Sequence, residues 1–150
     1  MNSKPVSTSQ RKILIIDDNE IILKTTSMKL ENGGYQVFTA LDASEGVRIA
    51  RNVKPDLILL DIGFPPDVYE NRVVDGFTDM TWDGFRIMDW LHKVNETKRI
   101  PIIVISGMLE VEEKNKQLAI ANGAVAFLPK PVNFDEMFKV ISATLGTESK

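Results

Sequence analysis

No cysteine occurs anywhere in the 150 residues, and histidine occurs once. A disulfide framework is therefore excluded. No run approaches the ~18 apolar residues that a membrane span requires. The first ten residues, MNSKPVSTSQ, lack the apolar core of a signal peptide. Lysine and arginine form no run, and 18 basic residues face 21 acidic ones for a net charge of -3, so the chain has no electrostatic footprint for nucleic acid or anionic lipid. These absences lead to the expectation of a cytoplasmic protein with no direct nucleic-acid binding and no membrane contact.

What is present fits one domain. With 43% hydrophobic and 26% charged residues, a chain of this length buries roughly 68–70% of its unfolded surface around one core. Five short apolar runs, KILII (12–16), YQVFTA (35–40), DLILL (56–60), PIIVI (101–105) and AVAFL (124–128), show little polar alternation. Such runs suit strands of a parallel sheet buried on both faces. Between them lie helical patterns over 19–32, ending at Gly33-Gly34, over 42–52, over 83–95, over 110–122, ending at Gly123, and over 133–145. The alternation predicts an α/β fold with a doubly wound five-stranded parallel sheet and helices on both faces. The domain is expected over 11–146, with disordered tails at 1–10 and 147–150.

Chemistry-bearing residues recur where the strands stop. Asp17 and Asp18 follow the first, Asp61 the third, Ser106 the fourth and Lys130 the fifth. In a parallel sheet these ends share one edge, where open α/β folds bind ligands. Taken singly, each aspartate or serine also reads as a helix N-cap, and the lysine as a surface residue. As a set they ask for more. Three carboxylates at one edge repel one another unless a cation sits among them, and an octahedral, oxygen-preferring ion such as Mg2+ meets that need. A lysine and a hydroxyl facing the same spot supply what a phosphoryl group would require.

The segments ILIIDDNE, DLILLDIGFP, WDGFRIMDWL, PIIVISG and GAVAFLPKPV together resemble the response-regulator receiver domain of two-component signalling, over about residues 11–146. The resemblance implies a flavodoxin-like sheet in the order 2-1-3-4-5. It implies Asp61 as phosphoacceptor, with Mg2+, for which Mn2+ can substitute, held by Asp17, Asp18, Asp61 and the backbone carbonyl of Gly63. Lys130 and Ser106 would contact the phosphoryl oxygens, and Ser106 and Phe127 would form a switch that biases the surface of the fourth helix, fifth strand and fifth helix. It implies a cis Lys130-Pro131 peptide. The implied partners are a histidine kinase or histidine phosphotransfer protein as donor and a downstream protein target. The only activity implied is Mg2+-dependent phosphorylation and dephosphorylation of the protein's own aspartate. Because the chain ends within ten residues of the last helix, no output domain is expected. A receiver-fold scaffold acting by constitutive binding stays open as the alternative, although it would need none of these site residues. An independent metabolic enzyme is less supported, because no substrate-pocket motif or acid-base pair is visible.

The chain departs from the family pattern after Asp61. The dipeptide Asp-Gly occurs at 75–76 and again at 83–84, and only the second precedes an apolar stripe, Phe85, Met88, Leu91 and Val94. Residues 66–81 therefore read as an insertion, with a net charge of -3 and the aromatics Tyr69 and Phe77, followed by Trp82. It is either a tolerated loop or a binding element. His92 reads as an exposed helical residue, Trp90 as a packing residue, and Phe134 with Phe138 as core-facing.

Overall fold

The computed structural model describes residues 10–61, 84–106, 112–121 and 123–146. The expected tails, Gly63 and the insertion at 66–81 lie outside the described residues, save Gln10. The elements are β1 (Lys12–Ile16), α1 (Glu20–Asn32), β2 (Gln36–Ala40), α2 (Ala43–Val53), β3 (Leu57–Asp61), α3 (Gly84–Lys93), β4 (Ile102–Ser106), α4 (Glu112–Ala121), β5 (Ala126–Pro129) and α5 (Phe134–Leu145).

All five strands are parallel, in the order β2-β1-β3-β4-β5. The order accounts for their composition. β1, β3 and β4 have neighbours on both sides and are buried almost throughout, and they are the unbroken runs KILII, LILLD and IIVIS. The edge strands QVFTA and AFLP are only partly buried and carry mixed residues. Successive side chains leave a strand on opposite faces, so each run feeds two cores. Leu14, Ile16, Ile58, Leu60, Ile102 and Val104 face α2, α3 and α4, meeting Ala50, Ile87, Met88, Leu91 and Ala119. Ile13, Ile15, Leu57, Leu59, Ile103 and Ile105 face α1 and α5, meeting Leu23, Leu30, Met137 and Ile141. Phe134 and Phe138 pack against this second cluster, as the sequence suggests.

The helix starts are set locally. Asn19, Asp42 and Asn133 hold extended backbone and accept hydrogen bonds from first-turn amides of α1, α2 and α5. Where α2 crosses β1 the fit is tight: a Cβ on Gly46 would meet Ile16 Cδ1 at 2.5 Å. At the far end of α3, Thr97 Oγ1 donates to the Leu91 carbonyl at 2.7 Å inside the protein. His92 is half-buried rather than exposed, because its ring packs over Gly123, whose φ of +104 suits glycine alone. Trp90 departs from its expected packing role: it is 41% exposed while Met88 and Leu91 are at 0%. No helix among the described residues is long and apolar enough to cross a membrane.

Candidate phosphoryl and metal site

Parallel pairing brings the C-terminal strand ends to one edge, and the strand order reverses between β1 and β3. Ile16 pairs with Leu60 across that junction, so the next residue on each strand, Asp17 and Asp61, come side by side. Asp61 is the last residue of β3, opposite Ile105, and Ser106 is the last of β4, opposite Pro129. The Lys130 amide donates to the Ser106 carbonyl at 2.8 Å, extending the β4–β5 ladder by one rung. The Lys130-Pro131 peptide is cis, as the family resemblance implies.

Local structure assigns the carboxylates their places. Capping of α1 is carried by Asn19, whose side chain accepts from the Ile21 and Ile22 amides at 2.9 and 3.1 Å. The N-cap reading for Asp17 and Asp18 therefore does not hold. Asp17 is 4% exposed, its amide donates to the Ala40 carbonyl at 3.1 Å, and its Oδ1 accepts from the Asn19 amide at 2.9 Å. Asp18 is exposed beside it. One carboxylate oxygen from each of Asp17, Asp18 and Asp61 lies within 4.8 Å of the others.

Lys130 completes the group. Its Nζ lies 3.1 Å from Asp61 Oδ1 and 3.3 Å from Asp17 Oδ2, and its side chain is 22% exposed. Burial alone lowers the pKa of this ammonium. The charges of Asp61 and Asp17, with hydrogen bonds to both, outweigh that effect and hold it above the ordinary lysine value. One ammonium offsets only one of the three carboxylates, so the cluster still favours a cation. The donors are all hard oxygens, and among the described residues no histidine joins them. That set fits Mg2+ or Mn2+ and does not fit zinc or copper.

Ser106 is 2% exposed beside this cluster. Phe127 is half-buried on β5 against the core that faces α2, α3 and α4. Of the residues expected at the site, Asp17, Asp18, Asp61, Ser106 and Lys130 meet at the edge, Phe127 lies on the strand leading to it, and Gly63 lies outside the described residues. A cavity of about 630 Å3, which the sequence did not announce, opens beside Asp17, Asp61 and Lys130, with Ile21, Ile22, Val132 and Phe134 among its walls. The one available signal was Ile21, an apolar residue off the buried stripe of Leu23, Thr26 and Leu30 and 76% exposed.

Several known proteins are similar to this chain. Protein PilH of Pseudomonas aeruginosa is 32% identical over 135 residues, which are 90% of this chain and 98% of that protein. The polar-differentiation response regulator DivK of Brucella anthropi is 27% identical over 138 residues, 91% of this chain and 97% of DivK. Among solved structures, the chemotaxis protein CheY4 of Vibrio cholerae superposes with a TM-score of 0.73 at 26% identity, covering 91% of this chain and 99% of its own. A CheY-like receiver from Methanospirillum hungatei gives 0.72 at 29% identity, covering 92% and 95%. The family model described as the response regulator receiver domain matches residues 13–142, and the chain therefore belongs to that family.

Proposed function

We propose that the chain is a phosphorylation-dependent signalling switch or relay intermediate. In this reading Asp61 accepts a phosphoryl group from a histidine kinase or histidine phosphotransfer protein, and the modified protein changes its binding to a downstream protein target. What supports the reading most is the meeting of Asp17, Asp18, Asp61, Ser106 and Lys130 at one sheet edge, with Lys130 Nζ 3.1 Å from Asp61 Oδ1. PilH, DivK and CheY4, all similar to this chain, are small proteins of the same family.

In the proposed transfer an Asp61 oxygen forms a bond to phosphorus as the phosphorus–nitrogen bond of the donor's phosphohistidine breaks, its electron pair leaving on the imidazole. Lys130 pairs with the phosphoryl oxygens as charge moves onto Asp61, and the Ser106 hydroxyl donates to one of them afterwards. Asp17, Asp18 and Asp61, with the Gly63 carbonyl, would hold Mg2+, which when bound neutralises phosphoryl charge and orients the group for in-line displacement. Movement of Ser106 then biases Phe127 and the surface of α4, β5 and α5. A constitutive scaffold would need none of the site residues.

Incubation with acetyl phosphate and Mg2+, followed by intact mass measurement, tests the reading. One phosphoryl adduct is expected in the native chain, none in Asp61→Asn, and a reduced level in Asp18→Ala. An adduct of undiminished intensity in Asp61→Asn removes the assignment.

A further inference from the structure

The surface between α2 and α3 carries a feature that the phosphoryl chemistry does not use. Trp90 stands 41% exposed on α3 although Ile87, Met88 and Leu91 around it are at most 2% exposed. It forms one wall of a groove of about 340 Å3, and the opposite wall is a stripe of α2 that includes Val47, Arg48 and Arg51. The spacing places both arginines on one helix face beside the indole. Among the described residues, the one acid in the lining, Glu96, sits 3.5 Å from Arg51, and Arg48 has an acidic neighbour only in Glu45, at 4.0 Å. All four side chains are at least 40% exposed, and exposed pairs of this kind hold weakly. Both guanidinium groups can therefore turn to an incoming carboxylate, for which their planar fork is well shaped.

The groove is thus net positive in a chain whose overall charge is -3. Its volume lies at the low end of the roughly 300 to 1,000 Å3 of small-molecule pockets, which suits one bulky side chain laid against Trp90. We infer that this groove is a protein-binding site for an acidic segment of a partner, with a large apolar residue seated on Trp90 and flanking carboxylates paired to Arg48 and Arg51. Aromatic and arginine anchors of this kind dominate protein interfaces. Nucleic acid shares the chemistry of stacking plus anion, but the chain's net charge of -3 disfavours a long polyanion. The groove contains none of Asp17, Asp18, Asp61, Ser106 or Lys130. The site therefore gives the receiver a grip on a partner that does not depend on phosphorylation.

The test uses the full chain labelled with nitrogen-15 and a short Glu/Asp-rich peptide with a central phenylalanine. Saturable shifts are expected at the Trp90 indole and at the Nε–H groups of Arg48 and Arg51, weakening as salt rises. Trp90→Ala and the double variant Arg48→Glu/Arg51→Glu should each weaken binding on the order of tenfold, with Mg2+-dependent acetyl phosphate labelling of Asp61 unchanged. Arg48→Lys/Arg51→Lys should retain part of the affinity, because charge survives and the fork does not. The inference is overturned if no saturable shift appears at these groups. Equal binding of a peptide with lysine for each acid, or tighter binding of a single-stranded oligonucleotide, overturns it as well.

Discussion

Asp18→Asn should make the protein more stable without divalent cation and less stable with it. The variant keeps the shape of the side chain and removes one charge from a group of three whose oxygens lie within 4.8 Å of one another. At an effective dielectric constant of about 20, two unit charges at that separation repel by roughly 3.5 kcal/mol. Asp18 is exposed, and solvent screening reduces such interactions to about 1 kcal/mol. A gain of that size moves the melting temperature upward by roughly 3 °C in a domain of this length. The native chain has the compensating property. A cation that binds only the folded state stabilises it by about 1.4 kcal/mol at ten times its dissociation constant, and losing a ligand should forfeit most of that gain. The measurement is thermal and urea unfolding of both proteins in EDTA and in MgCl2 at matched ionic strength, with the order of stability reversing between the two. A variant that is less stable than the native chain in EDTA, or that gains as much from Mg2+, refutes the picture of an electrostatically strained metal site.

Removing the cation from the same cluster should act in the opposite sense. Lys130→Met removes the ammonium from beside Asp17 and Asp61, whose side chains are 3% and 7% exposed. The expected cost is about 2 kcal/mol, below that of a fully buried pair because Lys130 keeps some solvent contact. Since the folded pKa of Lys130 is raised, its stabilisation is complete below the unfolded value of about 10.4 and is lost as pH rises through the higher folded value. Urea titrations should therefore give a constant gap between native and variant from neutral pH up to that point and a shrinking gap beyond it. Gly46→Ala should destabilise by about 1 kcal/mol, since crowding of Ile16 outweighs the helix propensity gained; adding Ile16→Val should restore part of the loss, and an unchanged urea midpoint in the single variant contradicts the tight crossing of α2 and β1. Shortening 66–81, which carries a net charge of -3, should leave acetyl phosphate labelling of Asp61 intact while slowing transfer from the cognate histidine donor in a salt-sensitive way. If transfer and downstream binding are both unchanged, the segment is a tolerated loop.

The central strands were legible because a strand with neighbours on both sides and helices on both faces has no polar position to display. The run KILII has the bounds that β1 adopts, Lys12–Ile16. The edges were less so. The apolar run at the fifth strand spans 124–128, whereas the strand forms at Ala126–Pro129. Ala124 is buried in the turn before it and Val125 is 50% exposed, so an apolar letter there does not signify a strand. The five residues that meet at the site were readable from their place at strand ends, since parallel topology alone brings such ends together. The cap of α1 was not, because aspartate and asparagine are equivalent in propensity and only the backbone course selects Asn19 over Asp17 and Asp18. Trp90 misled for a related reason. Its composition says core, but it stands on the flank of the stripe formed by Ile87, Met88 and Leu91, and only the placement of α2 decides what that flank faces.

The hydrogen bond between Lys130 and Asp17 joins residues 113 positions apart, and this span has a consequence during synthesis. The carboxylates of Asp17, Asp18 and Asp61 leave the ribosome long before the lysine that partly neutralises them, and β5 is the last strand to be synthesised. Until then the nascent chain has a negatively charged, incomplete edge with no ammonium to meet a phosphate. Under the proposed function, phosphoryl transfer would be confined to chains whose whole sheet has closed, and an interrupted translation product would send no signal.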